Sequence, residues 1–229
     1  MTCVIRSPSV PRRRLRLREI GMRETDKNTK QTLVFLKAWL KSPLSVGAIA
    51  PSGERLARAM ARTVPRRSGL PIVELGGGTG SITAALLRRI PPERLIVFER
   101  DPELARLLKK RFPAIKVVQG DARNLRHHLR SLGIERVGTV VSGLPMMAIP
   151  KRIQREILDA SFSVLAPGAP FIQYTYSLFS PLPRRELGLT GRPIARVLQN
   201  VPPASVWIYR RSHHAVSVRP KEGARAEAG

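Results

Sequence analysis

From residue 71 onward, short apolar runs alternate with longer stretches whose apolar residues recur every three or four positions. The short runs are PIVEL (71–75), RLIVFE (94–99), IKVVQG (115–120), VGTVVSG (137–143) and APFIQYTY (169–176). They are rich in β-branched and aromatic residues, which predicts strands buried on both faces. Residues 81–90, 102–111, 122–132 and 151–164 read as helices between them. This alternation predicts an α/β fold, a mostly parallel sheet flanked by helices. After a loop at 177–191, RPIARVLQNV (192–201) and ASVWIYRR (204–211), joined by Pro202–Pro203, read as two more strands.

Upstream, SVGAIAPSGERLARAMARTV (45–64) predicts a helix to about Ala61 with Ser52 as its N-cap. TKQTLVFLKAWLKSP (29–43) predicts a helix that ends near Pro43. On a helical wheel Lys30, Lys37 and Lys41 share one narrow sector, and Leu33, Val34, Phe35, Leu36, Trp39 and Leu40 cover most of the rest. Two readings fit: an interfacial helix lying on a membrane, or a helix packed on the core with its lysines in water. Residues 1–28 are basic and broken by proline, and 215–229 are small and charged, so both are expected to be disordered tails around a domain at 44–214. Met22 offers an alternative start.

Charge changes the picture. Lys and Arg number 41 against 16 Asp and Glu, a net +25. The first 21 residues contribute six arginines and one glutamate, so the remainder still carries +20. Such an excess predicts a polyanionic partner, nucleic acid or an anionic membrane surface, without choosing between them. Cys3 is the single cysteine, which excludes an intrachain disulfide and a thiolate metal cluster. The four histidines form two adjacent pairs, His127–His128 and His213–His214, whose members point apart, so no metal site is expected. No apolar run is long enough to cross a membrane as a helix, and no signal segment precedes the domain, so a cytoplasmic protein is expected.

The strongest local signal is VELGGGTGS (73–81). A strand ends at Leu75 and a helix begins near Ser81, with Gly76, Gly78 and Gly80 spaced G-x-G-x-G and Glu74 two residues ahead. Glycines there permit a tight turn and close approach of the backbone to a ligand. The dinucleotide fingerprint needs glycine at 81, where Ser81 stands, and no Lys-Ser/Thr follows, which excludes a P-loop. Glu99 ends the second strand, placed to accept from ribose hydroxyls, and Asp121 ends the third, able to accept from an adenine amino group.

This ordered set resembles the class I S-adenosylmethionine-dependent methyltransferases over about residues 45–210. The resemblance implies a Rossmann-like, mostly parallel seven-stranded sheet that closes with an antiparallel hairpin. It implies S-adenosylmethionine as cofactor, its methionine part passed by Glu74, Gly76, Gly78 and Gly80, its ribose held by Glu99 and its adenine by Asp121. Arg100, Gly120, Ala122 and Ser142 would flank it.

Two subfamilies compete. The rRNA adenine dimethylases share the E-x-D after strand two, here Glu99-Arg100-Asp101, but carry Asn-Leu-Pro-aromatic after strand four. This chain has Gly143-Leu144-Pro145-Met146, with neither an amide nor a flat ring to read a base. SGLPMM (142–147), VGAIAPS (46–52), FERDPEL (98–104), IQYTYS (172–177) and RVLQNVPPASVW (196–207) are similar instead to the bacterial phospholipid N-methyltransferases. That resemblance implies methyl transfer to the amine of phosphatidylethanolamine and its methylated intermediates, leading to phosphatidylcholine, with RNA adenine N-methylation as the alternative. Gly143, Leu144, Pro145, Met146 and Met147 would floor the acceptor site, and Tyr174 and Tyr176 would position the amine. Arg210, with Arg211 and His213, would bind the lipid phosphate. Lys30, Leu33, Phe35, Leu36, Lys37, Trp39, Leu40 and Lys41 would dock a monomer on the anionic inner face of the cytoplasmic membrane. His127 and His128 are expected to face solvent beside Asp121.

Overall fold

The computed structural model describes residues 51–65, 68–177, 179–200 and 203–211. The expected tails, the helix at 29–43 and His213 lie outside them. Seven strands form one sheet in the order β3-β2-β1-β4-β5-β7-β6. They are β1 (Ile72–Leu75), β2 (Leu95–Glu99), β3 (Lys116–Gln119), β4 (Thr139–Ser142), β5 (Phe171–Thr175), β6 (Leu189–Val197) and β7 (Ala204–Arg211). The first five pair in parallel, and β7 lies antiparallel between β5 and β6. The expected Rossmann-like sheet and its closing hairpin are therefore present.

The helices are α1 (Pro51–Arg62), α2 (Ser81–Leu87), α3 (Pro102–Arg111), α4 (Leu125–Ser131) and α5 (Lys151–Val164). Alternate strand residues feed two cores. Ile72, Val97, Val141, Ile172 and Val206 pack with Leu56 and Met60 of α1, Leu86 of α2 and Leu108 of α3. Val73, Leu75, Phe98, Val140 and Phe171 pack with Leu125 and Leu129 of α4 and Leu158 of α5. Every residue of β1, β2, β4 and β5 is buried, which is why those runs read as continuously apolar. Each valine, leucine, isoleucine or phenylalanine among them contributes about 1.5–3 kcal/mol on leaving water.

Several boundaries differ from expectation. Ser52 is not the cap of α1 but lies inside the helix. The helix expected at 81–90 ends at Leu87, just before Pro91 and Pro92, which cannot continue it. At 122–132 a 3-10 turn, Ala122–Asn124, precedes α4, because the Asp121 side chain caps it by accepting from the Arg123 backbone N–H. The loop expected to run to 191 is shorter: β6 begins at Leu189 and pairs with β7 from Arg211 backwards.

Candidate active site

The strand order reverses between β1 and β4, and the turns that leave these two strands meet there, as in open α/β sheets that bind ligands at this point. The glycine turn is tied from below by β2: Gly76 and Gly77 both donate to the Phe98 carbonyl, at 2.8 and 3.3 Å. Gly76 and Gly78 hold φ of 74° and 54°, a region that favours glycine. A Cβ on Gly78 would meet nothing within 4 Å, so the turn has open space above it.

Glu99 braces this turn. Its carboxylate is almost fully buried, and it accepts from the backbone N–H of Gly78 and of Asp101, both at 2.9 Å. One bond to each oxygen leaves lone pairs for two hydroxyls. Asp101 in turn caps α3, accepting from Glu103 and Leu104. The E-x-D pattern thus has a structural meaning here, a brace and a cap. Arg100 is exposed and reaches Asp121 at 3.7 Å.

Asp121 accepts from the Arg123 backbone and, at 2.8 Å, from its guanidinium. Partial burial works upward on its carboxyl, but the Arg123 hydrogen bonds and the charges of Arg123 and Arg100 outweigh it and hold the carboxyl below its ordinary range. Beside it, Ala122 is half-buried, and a Cβ on Gly120 would sit 2.6 Å from His128 Nε2. His128 corrects an expectation: it is half-buried against Gly120 and the edge of Phe98, and only His127 is exposed.

Glu74, in β1 just ahead of the turn, is fully buried. One oxygen accepts from Thr83 Oγ1 at 2.8 Å, while Oε1 has no hydrogen-bond partner in the protein. Burial first, and the charge of Glu99 in addition, push its pKa up to about 8.

On the acceptor side, Ser142 is buried at the end of β4 and accepts from the Leu144 N–H. Gly143 donates to the Leu75 carbonyl, and a Cβ there would lie 2.7 Å from the Gly76 carbonyl oxygen. A side chain at 143 therefore collides with the backbone of the glycine turn, a steric reason for the missing amide that sequence reasoning did not see. Leu144 packs against Gly76, and Pro145 leads into the short turn that follows.

Met146 corrects the expected floor. It is buried in the core beneath the sheet, and its carbonyl accepts from the Gln154 side chain, so it lines no open surface. Met147 is 65% exposed, and its sulfur accepts from Thr175 Oγ1 at the end of β5. Tyr174 is buried and meets the edge of Tyr176, which is exposed. Burial raises both phenols, Tyr174 the more, so they stay protonated.

Arg210 is also corrected. Phe171 pairs with Tyr209, which puts Arg210 beyond the start of β5, at the opposite edge of the sheet from Thr175. There its Nε donates to the Gly168 carbonyl, and Arg211 pairs with Asp159.

Gln173 is the residue that sequence reasoning missed. It is buried in the centre of β5, donates to the Leu144 and Tyr174 carbonyls at 2.9 Å, and leaves its own Oε1 without a partner. A lone amide within an otherwise apolar central strand was the available signal.

Comparison with known proteins bears on this geometry. A family model described as a methyltransferase domain matches residues 72–168. The ornithine lipid N-methyltransferase of Singulisphaera acidiphila is 37% identical over 190 residues, 79% of this chain and 96% of that protein. The ribosomal RNA small subunit methyltransferase A of Anaeromyxobacter dehalogenans is 39% identical over only 69 residues, 30% of this chain and 24% of its own. Among solved structures, the glycopeptide N-methyltransferase MtfA complexed with S-adenosylmethionine superposes with a TM-score of 0.54 at 16% identity, over 75% of this chain and 99% of the other.

Proposed function

Because the chain belongs to the class I S-adenosylmethionine-dependent methyltransferases, we propose that it methylates the primary amine of a zwitterionic membrane lipid. The observation that carries this reading is the likeness along nearly the whole length of a relative named for lipid amine methylation, against an rRNA methyltransferase likeness limited to 69 residues. The acceptor side supports it. Gly143 cannot carry a base-reading side chain without displacing the glycine turn, and the exposed groups beside it are a thioether and a phenol.

The site fits the cofactor on its own terms. Glu74 Oε1 is a buried oxygen without a protein partner, and the cationic amino group of a methionine moiety beside it would draw the raised carboxyl back to its ionised, accepting form. The space above Gly78 admits the chain between sulfur and ribose, and Glu99 keeps lone pairs for ribose hydroxyls. Asp121, kept ionised by Arg123, is the acceptor at the adenine end. When bound, S-adenosylmethionine supplies a methyl group on a positively charged sulfur. The protein's part is to hold the amine nitrogen in line with that group and keep water away. Ser142, Leu144 and Met147 shape the floor, and the exposed ring of Tyr176 attracts the methylated cation through its face. Neither tyrosine takes the amine's proton, since both phenols are raised.

Two acceptors share the required chemistry, an aliphatic amine beside an anion. Phosphatidylethanolamine and its methylated intermediates follow from the SGLPMM, FERDPEL and IQYTYS stretches, with phosphatidylcholine as the end product. Ornithine lipid is favoured by the relative's name. The test incubates purified full-length protein with methyl-labelled cofactor and, separately, vesicles of each lipid and unmodified ribosomal RNA. Label in a lipid extract supports the proposal and selects the acceptor; label in RNA alone overturns it.

A further inference from the structure

A cleft of about 770 Å³ lies between α1 and the end of β6, apart from the residues assigned to cofactor and acceptor. Arg55, Arg58 and Arg62 line one wall, spaced so that they share one face of α1. Arg196 lines the other, with Ile194 and Leu198. Arg58 is neutralised by Glu54, which also binds Arg88. Among the described residues no carboxylate pairs with Arg55, Arg62 or Arg196, and all three are exposed. Such an arrangement keeps three uncompensated cations around an apolar strip.

That strip is unusual for a surface edge. Ile194 is 42% exposed and Leu198 is 72% exposed. Ile194 is the extra residue of a β-bulge: Pro193 pairs with Trp207 and Ala195 with Val206, leaving Ile194 unpaired. Bulges re-aim side chains, and here one turns an isoleucine into a cationic cleft.

The cleft opens on the edge that carries the candidate active site. Arg196 pairs with Ser205, and Ser205 pairs with Thr175, whose hydroxyl touches Met147. Two strand spacings, roughly 10 Å, separate the Arg196 backbone from that of Thr175. The turn after β6 also reaches the acceptor side, since Asn200 hydrogen-bonds Tyr176.

We propose that this cleft docks the protein on the anionic surface of a lipid bilayer, with Arg55, Arg62 and Arg196 on lipid phosphates and Ile194 and Leu198 in the interface. The assignment rests on the amino-lipid reading and deepens it, because the strand register puts Arg196 level with Thr175 at the end of β5 that carries the acceptor site. Charge complementarity selects an anion, and the exposed aliphatic pair selects a lipid over a nucleic acid. RNA binding surfaces stack bases on aromatic rings, and among the described residues no aromatic side chain lines this cleft. The chain's own residues 1–50 are strongly basic, so like charge opposes them as the occupant.

The test is flotation of the full-length protein with vesicles of phosphatidylcholine alone and of phosphatidylcholine with an equal part of phosphatidylglycerol. Each arginine near an anionic surface is worth about 1 kcal/mol, so replacing Arg55, Arg62 and Arg196 together by alanine should weaken binding to the anionic vesicles roughly 100-fold. The corresponding triple lysine variant should bind as the parent does, and Leu198→Asp should weaken binding with all the arginines kept. Every variant should retain the parent's thermal shift with S-adenosylhomocysteine and its methylation of a short-chain amino lipid dispersed below its micelle concentration. Unchanged flotation of the triple alanine variant would overturn the docking assignment, as would a variant that loses filter binding of unmodified ribosomal RNA while keeping its binding to anionic vesicles. If the parent floats but methylates no dispersed amino lipid, the acceptor reading fails instead and the docking surface stands.

Discussion

Glu74 is the residue whose chemistry departs furthest from its appearance in the sequence. The sequence places a carboxylate two residues before the glycine turn. Only packing reveals that it is buried, with one oxygen on Thr83 and the other without a partner. Its pKa, pushed to about 8 from an ordinary 4.5, lies above the unfolded value. A raised pKa means that the native state keeps its proton while the unfolded chain has lost it. The stability tied to that proton is complete below about pH 4.5 and is lost as pH rises towards 8. Urea titrations of Glu74→Gln should therefore match the parent's pH trend below that window. Across it, they should show the variant gaining progressively on the parent. Parallel curves throughout would mean that Glu74 is ionised in the native protein. Gly143 makes the complementary point. The sequence shows a missing amide there, and the structure adds that the Gly76 carbonyl oxygen excludes any side chain.

At the scale of elements, direction matters more than identity. The two final strands were legible from their apolar runs, and so was their antiparallel pairing through the family resemblance. The end of β7 that carries Arg210 follows from the register, Phe171 opposite Tyr209, and that register puts the arginine at the wrong edge for a substrate phosphate. Arg210→Ala should accordingly leave the Michaelis constant for lipid and the turnover number within about twofold of the parent. The bond it loses, to the Gly168 carbonyl, is worth only about 1 kcal/mol, so its cost should appear as a small fall in melting temperature. A large rise in the Michaelis constant would restore Arg210 to the acceptor site. Helix ends behaved similarly. Prolines at 91 and 92 stop α2 early, and the Asp121 cap converts the start of a predicted helix into a 3-10 turn.

At the scale of the molecule, a net charge of +25 governs encounter with any polyanion. Binding to anionic vesicles should weaken steeply as salt rises from low to physiological ionic strength, because exposed charges are screened beyond about 8 Å there. The part held by Ile194 and Leu198 should persist, so the salt curve should flatten above zero binding, as light scattering on vesicles can follow. A curve that falls to zero would mean that charge alone holds the protein to lipid. All 41 basic residues contribute to this attraction, whereas the cleft accounts for only a few of them.

The sequence by itself determined the fold class and placed acidic and glycine residues at successive strand ends, and the cofactor followed from the family those residues resemble. It could do so because those features are local: burial on both faces forces apolar runs, and a tight turn against a ligand forces glycine. Only the tertiary structure decided which of the neighbouring residues face the site. Met146 and Met147 are adjacent in SGLPMM, yet one is core and the other surface, a difference set by how the turn after β4 packs over the sheet. The cleft between α1 and β6 joins residues well over a hundred positions apart, and the bulge that aims Ile194 into it depends on pairing with β7. No local pattern encodes such a surface, because its charge and its apolar strip come from elements that meet only when the sheet closes.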